Sequence, residues 1–329
     1  MIVQNRRPVP NAEFLVANKT RNYSTLQTTR SSIENFKLDP NWVTGFVDGE
    51  GCLHVSVLKN KNYKLGWQVG PCFKLTQHER DKAVLKCIQN YFKVGSIYKH
   101  GPKTIQLQVK SIKELDIVIN HFKMYPLITN KCSDFKLFIM VLEIMRRKEH
   151  LTLEGLRQII AIKAAMNLGL SEKLQLAFPD VVPVERCKVE PSQTIDPNWL
   201  AGFTSAEGCF LIVITPNKTH SIGFQVLLVF IVTQHSREEN LIRRIRAYLN
   251  CGQVYKNRDA FNYRVTKFSD IVDKILPFFL KYRIRGVKAL DFRDWCKAAE
   301  LIKLKKHFTK EGLDEIRHIK EGMNTLRKF

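Results

Sequence analysis

The sequence predicts an α+β protein built from two pseudo-symmetric αββαββα repeats, each carrying an antiparallel sheet. Three observations carry that prediction. The segment Asp39-Pro40-Asn41-Trp42-Val43-Thr44-Gly45-Phe46-Val47-Asp48-Gly49-Glu50-Gly51-Cys52 returns as Asp196-Pro197-Asn198-Trp199-Leu200-Ala201-Gly202-Phe203-Thr204-Ser205-Ala206-Glu207-Gly208-Cys209. Matched residues keep one spacing: Glu50 and Glu207, Gln77 and Gln234, Lys131 and Lys288, and Glu154 and Glu311 all stand 157 apart. Within each copy, helix-start signals alternate with period-2 stretches. A period this long excludes short solenoid units and indicates two half-proteins facing each other around a pseudo-dyad, in one monomeric chain.

Each repeat opens with a helix. Asp39 and Asp196 are N-caps, and Pro40 and Pro197 take the first helical position, where the missing N–H costs nothing. The helices stop near Gly51 and Gly208. A hairpin follows in the first copy: Leu53, Val55 and Val57 share one face against Cys52, His54 and Ser56, then Trp67, Val69, Phe73 and Leu75 face away from Gln68, Gly70, Cys72, Lys74 and Thr76. Pro71 inside the second strand implies an edge or a bulge, because proline cannot donate to a ladder. A helix around Glu79 to Phe92, a second hairpin from Gly95 to Lys110, helices from Ile112 to Phe122 and Ser133 to Lys148, and a trailing helix in Thr152 to Asn167 complete the unit. In the second copy Phe224 to Val232 is apolar on both faces, so the alternation is lost. The repeat register still assigns Gln225, Leu227, Val229, Ile231 and Thr233 to the polar face.

This reading divides the chain into an extension at 1–37, repeat one at 38–167, a linker at 168–194 and repeat two at 195–329. The extension carries Arg6, Arg7, Lys19, Arg21 and Arg30 with only Glu13 and Glu34 against them, a composition that fits a flexible arm. A transit peptide, a strap along the body and a residual fusion segment are the alternatives. The linker is punctuated by Pro179, Pro183 and Pro191.

Charge narrows the function. The 329 residues carry 53 Lys+Arg against 31 Asp+Glu, a formal net charge of +22, which calls for a polyanionic partner. Nucleic acid is the leading class. A membrane is disfavoured: no long basic amphipathic helix stands out, and the longest apolar run, Ile222 to Val232, is too short to span a bilayer. The eight cysteines show no CxxC and no Cys/His ligand spacing, so neither a zinc module nor a disulfide framework is supported, and they read as small buried residues in a reducing compartment.

The chemistry is expected where the motif helices meet. Gly45 and Gly49, and Gly202 and Ala206, are four apart and give each helix a smooth stripe on which a second helix can approach closely. Packing on those stripes brings Glu50 and Glu207 together. An acid is disfavoured at the negative C-terminal end of a helix, yet it stands there in both copies. Two adjacent carboxylates repel unless a cation lies between them, and hard oxygen donors favour Mg²⁺.

With those residues in place, the chain resembles the monomeric, two-motif LAGLIDADG homing endonucleases, most closely the branch encoded by fungal mitochondrial introns. The motifs are Val43 to Gly51 and Leu200 to Gly208. Thr76-Gln77-His78 with Thr233-Gln234-His235, Pro126 to Lys131, Gly286-Val287-Lys288, and Lys148 to Leu156 with its copy at Lys305 to Leu313 support it. The resemblance implies saddle-shaped sheets over double-stranded DNA and hydrolysis of both strands across the central minor groove, leaving short 3′ overhangs. It implies a mitochondrial location.

The resemblance also assigns roles. Glu50 and Glu207 become metal ligands, with Gly49 and Ala206 in the same metal site; Gln77 and Gln234 position the metal's water; Lys131 and Lys288 stand at the edge of the active site. Mg²⁺ is the implied cofactor, Mn²⁺ an active and Ca²⁺ a non-cleaving substitute. Glu in place of Asp at the metal position is a frequent variant. The penultimate acid of the motif is Asp48 in one copy and Ser205 in the other, which argues against an essential role for Asp48. Candidate base readers are His54, Ser56, Asn60, Gln68, Lys74, Gln106, Gln108 and Lys110 in the first half and Gln225, Lys256, Asn262 and Arg264 in the second, with Leu227, Val229 and Ile231 against thymine methyls. Arg80 and Arg237 are candidate phosphate clamps.

Two other functions stay open at this point: an RNA maturase that assists splicing of its own intron, and a DNA-binding protein that has lost cleavage. Retention of both acids, both glutamines and both lysines favours the active nuclease.

Overall fold

The computed structural model describes residues 37–166, 169–187 and 194–327. The N-terminal extension and part of the linker, including Pro191, lie outside the described residues. The motif helices form where Asp-Pro places them. α1 runs Pro40–Glu50, and the Asp39 carboxylate accepts the Asn41 and Trp42 N–H groups. Its partner Pro197–Glu207 is capped in the same way by Asp196.

Repeat one continues as β1 (Gly51–Lys59), β2 (Trp67–His78), α2 (Lys82–Phe92), β3 (Ser96–Lys99), β4 (Thr104–Val109), α3 (Ile112–Met124), α4 (Lys131–Arg146) and α5 (Leu153–Ala165). The short helix α6 (Glu172–Ala177) follows, and then the second motif helix, α7 (Pro197–Glu207). Repeat two adds β5 (Gly208–Pro216), β6 (Phe224–His235), α8 (Glu239–Leu249), β7 (Gln253–Asn257) and β8 (Ala260–Val265). It ends with the helical run α9 (Phe268–Asp270, Ile271–Ile275 and Leu276–Lys281), α10 (Val287–Lys303) and α11 (Lys310–Glu321). Each repeat therefore closes with three helices after its second hairpin, as the helices expected at 112–122, 133–148 and 152–167 require.

Both sheets are antiparallel, ordered β1-β2-β4-β3 and β5-β6-β8-β7. Alternation along β1 is as the sequence predicts, with Leu53, Val55 and Val57 buried between half-buried Cys52, His54 and Ser56. Pro71 lies before the β2–β4 ladder begins at Phe73, so on that side β2 is locally an edge and the absent N–H breaks no bond. The two first-hairpin turns are the same structure twice. Asn60 N–H donates to Gly66 O and Asn217 N–H to Gly223 O, each at 2.8 Å, and both glycines sit at φ 72°.

The 157-residue spacing slips once and recovers. Lys99 pairs with Ile105 and its counterpart Lys256 with Phe261, so the second turn is one residue shorter. Ile271–Ile275 is a π-turn, which adds one residue to the helical run. Beyond it Phe122 and Phe279, and Tyr125 and Tyr282, are again 157 apart.

One core lies between each sheet and its helices. In repeat two it is strongly aromatic, with Phe210 at 5.2 Å from Phe230, 5.8 Å from Phe279 and 5.0 Å from Phe292, centroid to centroid. The described part of the linker is packed against repeat one. Leu174 and Phe178 enter that core, Val184 N–H donates to Ala161 O, and Arg186 bonds Asp134 at 2.9 Å. The matched Asp291 holds Arg327 at 2.8 Å, so each repeat anchors an arginine from its trailing segment on the same acid. Only Cys72, Cys251 and Cys296 are buried, while Cys187 is exposed and the other four are half-buried, which corrects the reading of all eight cysteines as buried.

Candidate active site

The close approach expected of the motif helices is extreme. A Cβ on Gly45 would lie 1.9 Å from the Trp199 carbonyl oxygen, and one on Gly202 would lie 2.0 Å from that of Trp42. Only glycine fits at either crossing. Further along, a Cβ on Gly49 would meet the Ala206 Cβ at 2.4 Å and stand 3.6 Å from Oε1 of Glu207. The C-terminal ends of α1 and α7 thus set Glu50 beside Glu207.

Burial raises the Glu50 pKa; a hydrogen bond from the Gln77 side chain opposes that rise, and the Glu207 charge adds to it. Lys288 and Lys131 pull the other way more weakly. Both lysines are engaged by helix ends. Lys131 Nζ donates to the carbonyls of Val47 at 2.9 Å and Gly49 at 3.1 Å, and Lys288 Nζ to that of Ala206 at 2.7 Å. Burial holds both amines below the ordinary lysine range, against the pull of the surrounding acids. Gln77 and Gln234 sit half-buried near the ends of β2 and β6.

This arrangement fits a divalent cation of the hard class. Two coupled carboxylates face each other, with the carbonyls of Gly49 and Ala206 alongside. Among the described residues no group of three or more His, Cys, Asp or Glu forms a closed cage. One or two carboxylates plus substrate phosphate is the ligand set Mg²⁺ prefers, since it keeps several of its waters.

Asp48 is used structurally, consistent with its replacement by Ser205. Its carboxylate accepts Ile128 N–H at 3.0 Å, Thr129 Oγ1–H at 2.6 Å and Trp199 Nε1–H at 2.8 Å. Ser205 does part of this, its Oγ accepting Arg285 N–H at 3.1 Å. Trp42 Nε1, the counterpart of the Trp199 nitrogen, is buried with no hydrogen-bond partner among the described residues.

The strand register sorts the candidate readers. His54, Ser56, Gln68, Lys74 and Gln108 share the sheet face opposite the core, as do Gln225 and Arg264 in repeat two. Asn60 lies in the first turn, where its side-chain amide donates to Gln68, and Lys110 is exposed just past β4. Burial and the burden of the Lys74 and Lys163 charges lower the His54 pKa to about 4, so this side chain is neutral on the face. Arg80 and Arg237 are exposed in the short turns after β2 and β6.

Several expectations need correction. Gln106 and Asn262 are on the reader face but only 5% exposed, tied to Thr76 at 2.7 Å and Thr233 at 2.7 Å across the strands. Val229 is buried, unlike Leu227 and Ile231. Lys256 pairs with Phe261, a core residue, and so belongs to the opposite parity from Arg264. On β3 and β7 the reader face carries Ser96 and Tyr98, and Gln253 and Tyr255; the two tyrosines are exposed and 157 apart. Their matched positions were the sequence signal for them.

Comparison with known proteins agrees with this geometry. A family model described as LAGLIDADG endonuclease matches residues 43–142 and again 200–299. "Probable intron-encoded endonuclease 2" of Neurospora crassa is 38% identical over 97% of this chain and 73% of its own length. "Probable intron-encoded endonuclease 3" of the same organism is 36% identical over 95% of this chain and 58% of its own, so the chain spans just over half of that relative. The crystal structure of the I-SmaMI LAGLIDADG homing endonuclease bound to cleaved DNA superposes with a TM-score of 0.88 at 44% identity, covering 90% of this chain and all of that one. I-SmaMI has also been solved on an uncleaved DNA target with calcium ions.

Proposed function

Because this chain belongs to the LAGLIDADG endonuclease family, we propose that it is a site-specific homing endonuclease that hydrolyses one phosphodiester on each strand of a long, asymmetric duplex DNA target. The observation that carries this reading is the pair Glu50 and Glu207, set side by side by helices that touch at Gly45 and Gly202, each with a lysine amine on the adjacent carbonyls. Two pseudo-symmetric half-sites suit two antiparallel strands.

The chain's own groups have defined work. Glu50 and Glu207, with the carbonyls of Gly49 and Ala206, would hold Mg²⁺; Mn²⁺ would support cutting and Ca²⁺ binding alone. A divalent cation, when bound, supplies charge neutralisation at the phosphate and a more acidic water. Gln77 orients the Glu50 carboxylate through its hydrogen bond, and Gln234 takes the matched place. Lys131 and Lys288 stand beside the two carboxylates, where a protonated amine would offset charge developing on the phosphate. The sheet faces read bases in the major groove on either side, and cleavage across the minor groove leaves 3′ overhangs. The same reading makes the protein a monomer acting on DNA in the mitochondrion.

The test is to incubate the protein with a randomised duplex library and Mg²⁺ beside Glu50→Gln, and to sequence the ends. Discrete ends with short 3′ overhangs, absent from the variant, support the reading. Sequences retained but uncut by either protein would replace it with a binding function.

A further inference from the structure

Two carboxylates outside the motif helices have no part in the site so far described, and they occupy matched positions. Asp81 and Glu238 stand 157 apart, in the short turns that follow β2 and β6. Each crosses the boundary between repeats. Glu238 Oε1 accepts the N–H of Asn130 at 2.9 Å, and the Asn130 side-chain amide returns a bond to Arg237 O at 2.8 Å. Asp81 Oδ1 accepts the N–H of Val287 at 2.8 Å and lies so close to Gly286 that a Cβ there would stand 2.6 Å away.

Those acceptor contacts fall at the starts of α4 and α10. Asn130 immediately precedes Lys131, and Val287 immediately precedes Lys288. The first N–H groups of a helix have no intrahelical partner, and a side-chain acceptor normally comes from the residue at the helix's own N-cap. Neither helix uses that source: Asn130 and Gly286 make no side-chain cap bond. In α10 the first N–H, that of Val287, goes to the other repeat; in α4 the Lys131 N–H goes to Thr129 Oγ1 of its own repeat at 3.1 Å, and the Asn130 N–H ahead of it goes to the other repeat. Glu238 is almost fully buried in this role, and the Asn130 N–H opposes the rise in pKa that burial causes.

Each lysine is therefore fixed at two ends by two different halves. The residue just ahead of it is held by the partner repeat's acid, while its amine reaches the motif-helix carbonyls of its own repeat. We propose that Asp81 and Glu238 are positioning residues for the active-site lysines: Asp81 sets Lys288 and Glu238 sets Lys131, reciprocally across the pseudo-dyad. The inference rests on the endonuclease reading and on the part given there to the two lysines. The pseudo-dyad relates the two strands of the duplex as it relates the two lysines, so loss of one cap falls on one strand.

The experiment follows each strand separately on a doubly end-labelled target duplex, with Asp81→Ala, Glu238→Ala and the near-isosteric Asp81→Asn and Glu238→Gln. Each alanine variant should slow one strand by about tenfold relative to the other, within the roughly hundredfold that a 1 Å misplacement can cost. Nicked DNA should accumulate, with the nick in opposite strands for the two variants. The amide variants, which keep an acceptor oxygen, should recover most of the lost rate, and they replace the alanine variants if those do not fold. Equal slowing of both strands, or the same strand slowed by both variants, would show a merely structural role and overturn the inference. Wild-type protein that cuts neither strand would sink the endonuclease reading and this inference with it.

Discussion

Asp48 and Trp199 are joined across the two repeats by a 2.8 Å hydrogen bond from the indole Nε1 to Oδ2. The twin of that indole, Trp42, has no such acceptor, because Ser205 stands where the second repeat would carry the acid. Trp199→Phe and Trp42→Phe remove nearly the same volume from nearly the same packing. Only the first removes a bond to a buried carboxylate. Trp199→Phe should cost more by about 1–3 kcal/mol, the cost of leaving a buried acceptor without its donor. Urea midpoints of the two variants measure the difference, and equal midpoints would contradict it.

The glycine contacts make a steric prediction. Gly45→Ala and Gly202→Ala each push a methyl into a backbone carbonyl that has no rotamer through which to escape. Each should destabilise by about 1–3 kcal/mol, as overpacking does. The same displacement separates Glu50 from Glu207, so cleavage should fall more than binding. A Gly45→Ala protein with unchanged melting temperature and cleavage rate would mean the helices do not cross this closely in solution.

His121 gives a pH signature. Its ring lies 3.0 Å from Thr44 Oγ1 through Nε2 and 3.1 Å from Tyr91 OH through Nδ1, and burial lowers its pKa from 6.5 to about 4. The folded state favours the neutral ring. Between those values the unfolded chain binds the extra proton, so stability is fully present above pH 6.5 and is lost as pH falls toward 4. The whole effect is about 3 kcal/mol at 1.36 kcal/mol per unit. Repeat two has Ala201 and Phe278 at the matched positions. The double variant Thr44→Ala/His121→Phe should lose that part of the acid sensitivity, and an unchanged slope of stability against pH would refute the account.

Strand parity predicts unequal roles for two cations in repeat two. Arg264 shares the reader face with Gln225, whereas Lys256 has the parity of the core residue Phe261. Arg264→Ala should cost about 1–3 kcal/mol of binding and relax base preference at one position. Lys256→Ala should leave the preference intact. Selection from a randomised duplex pool by each variant distinguishes them, and a changed preference for Lys256→Ala alone would reverse the assignment.

Most of the fold was legible because its determinants are local. Asp-Pro caps, the alternation in β1 and the stripe of small residues each act within one element, and the sequence states the caps and the stripe in both copies. The site was legible for the same reason in Glu50, Glu207, Lys131 and Lys288, whose shared spacing placed them in equivalent positions. What escaped depends on contacts between elements. Gln106 and Asn262 look like readers until Thr76 and Thr233 are found opposite them. Lys256 was misassigned because a turn one residue shorter hides which face a position takes. Asp81 and Glu238 carry no local signal at all, since the helix starts they cap belong to the other repeat.

The paired turns Asn60–Gly66 and Asn217–Gly223 have a consequence for variation over time. Backbone bonds among Asn60, Tyr63 and Gly66, matched by those among Asn217, His220 and Gly223, and a glycine in the same left-handed conformation, define each turn. Lys61-Asn62-Tyr63-Lys64-Leu65 in one and Lys218-Thr219-His220-Ser221-Ile222 in the other already differ at four of five places on that common frame. The tips behave as interchangeable cassettes. A lineage can rewrite what they touch, or exchange one for the other, while the ladders and cores beneath them stay as they are.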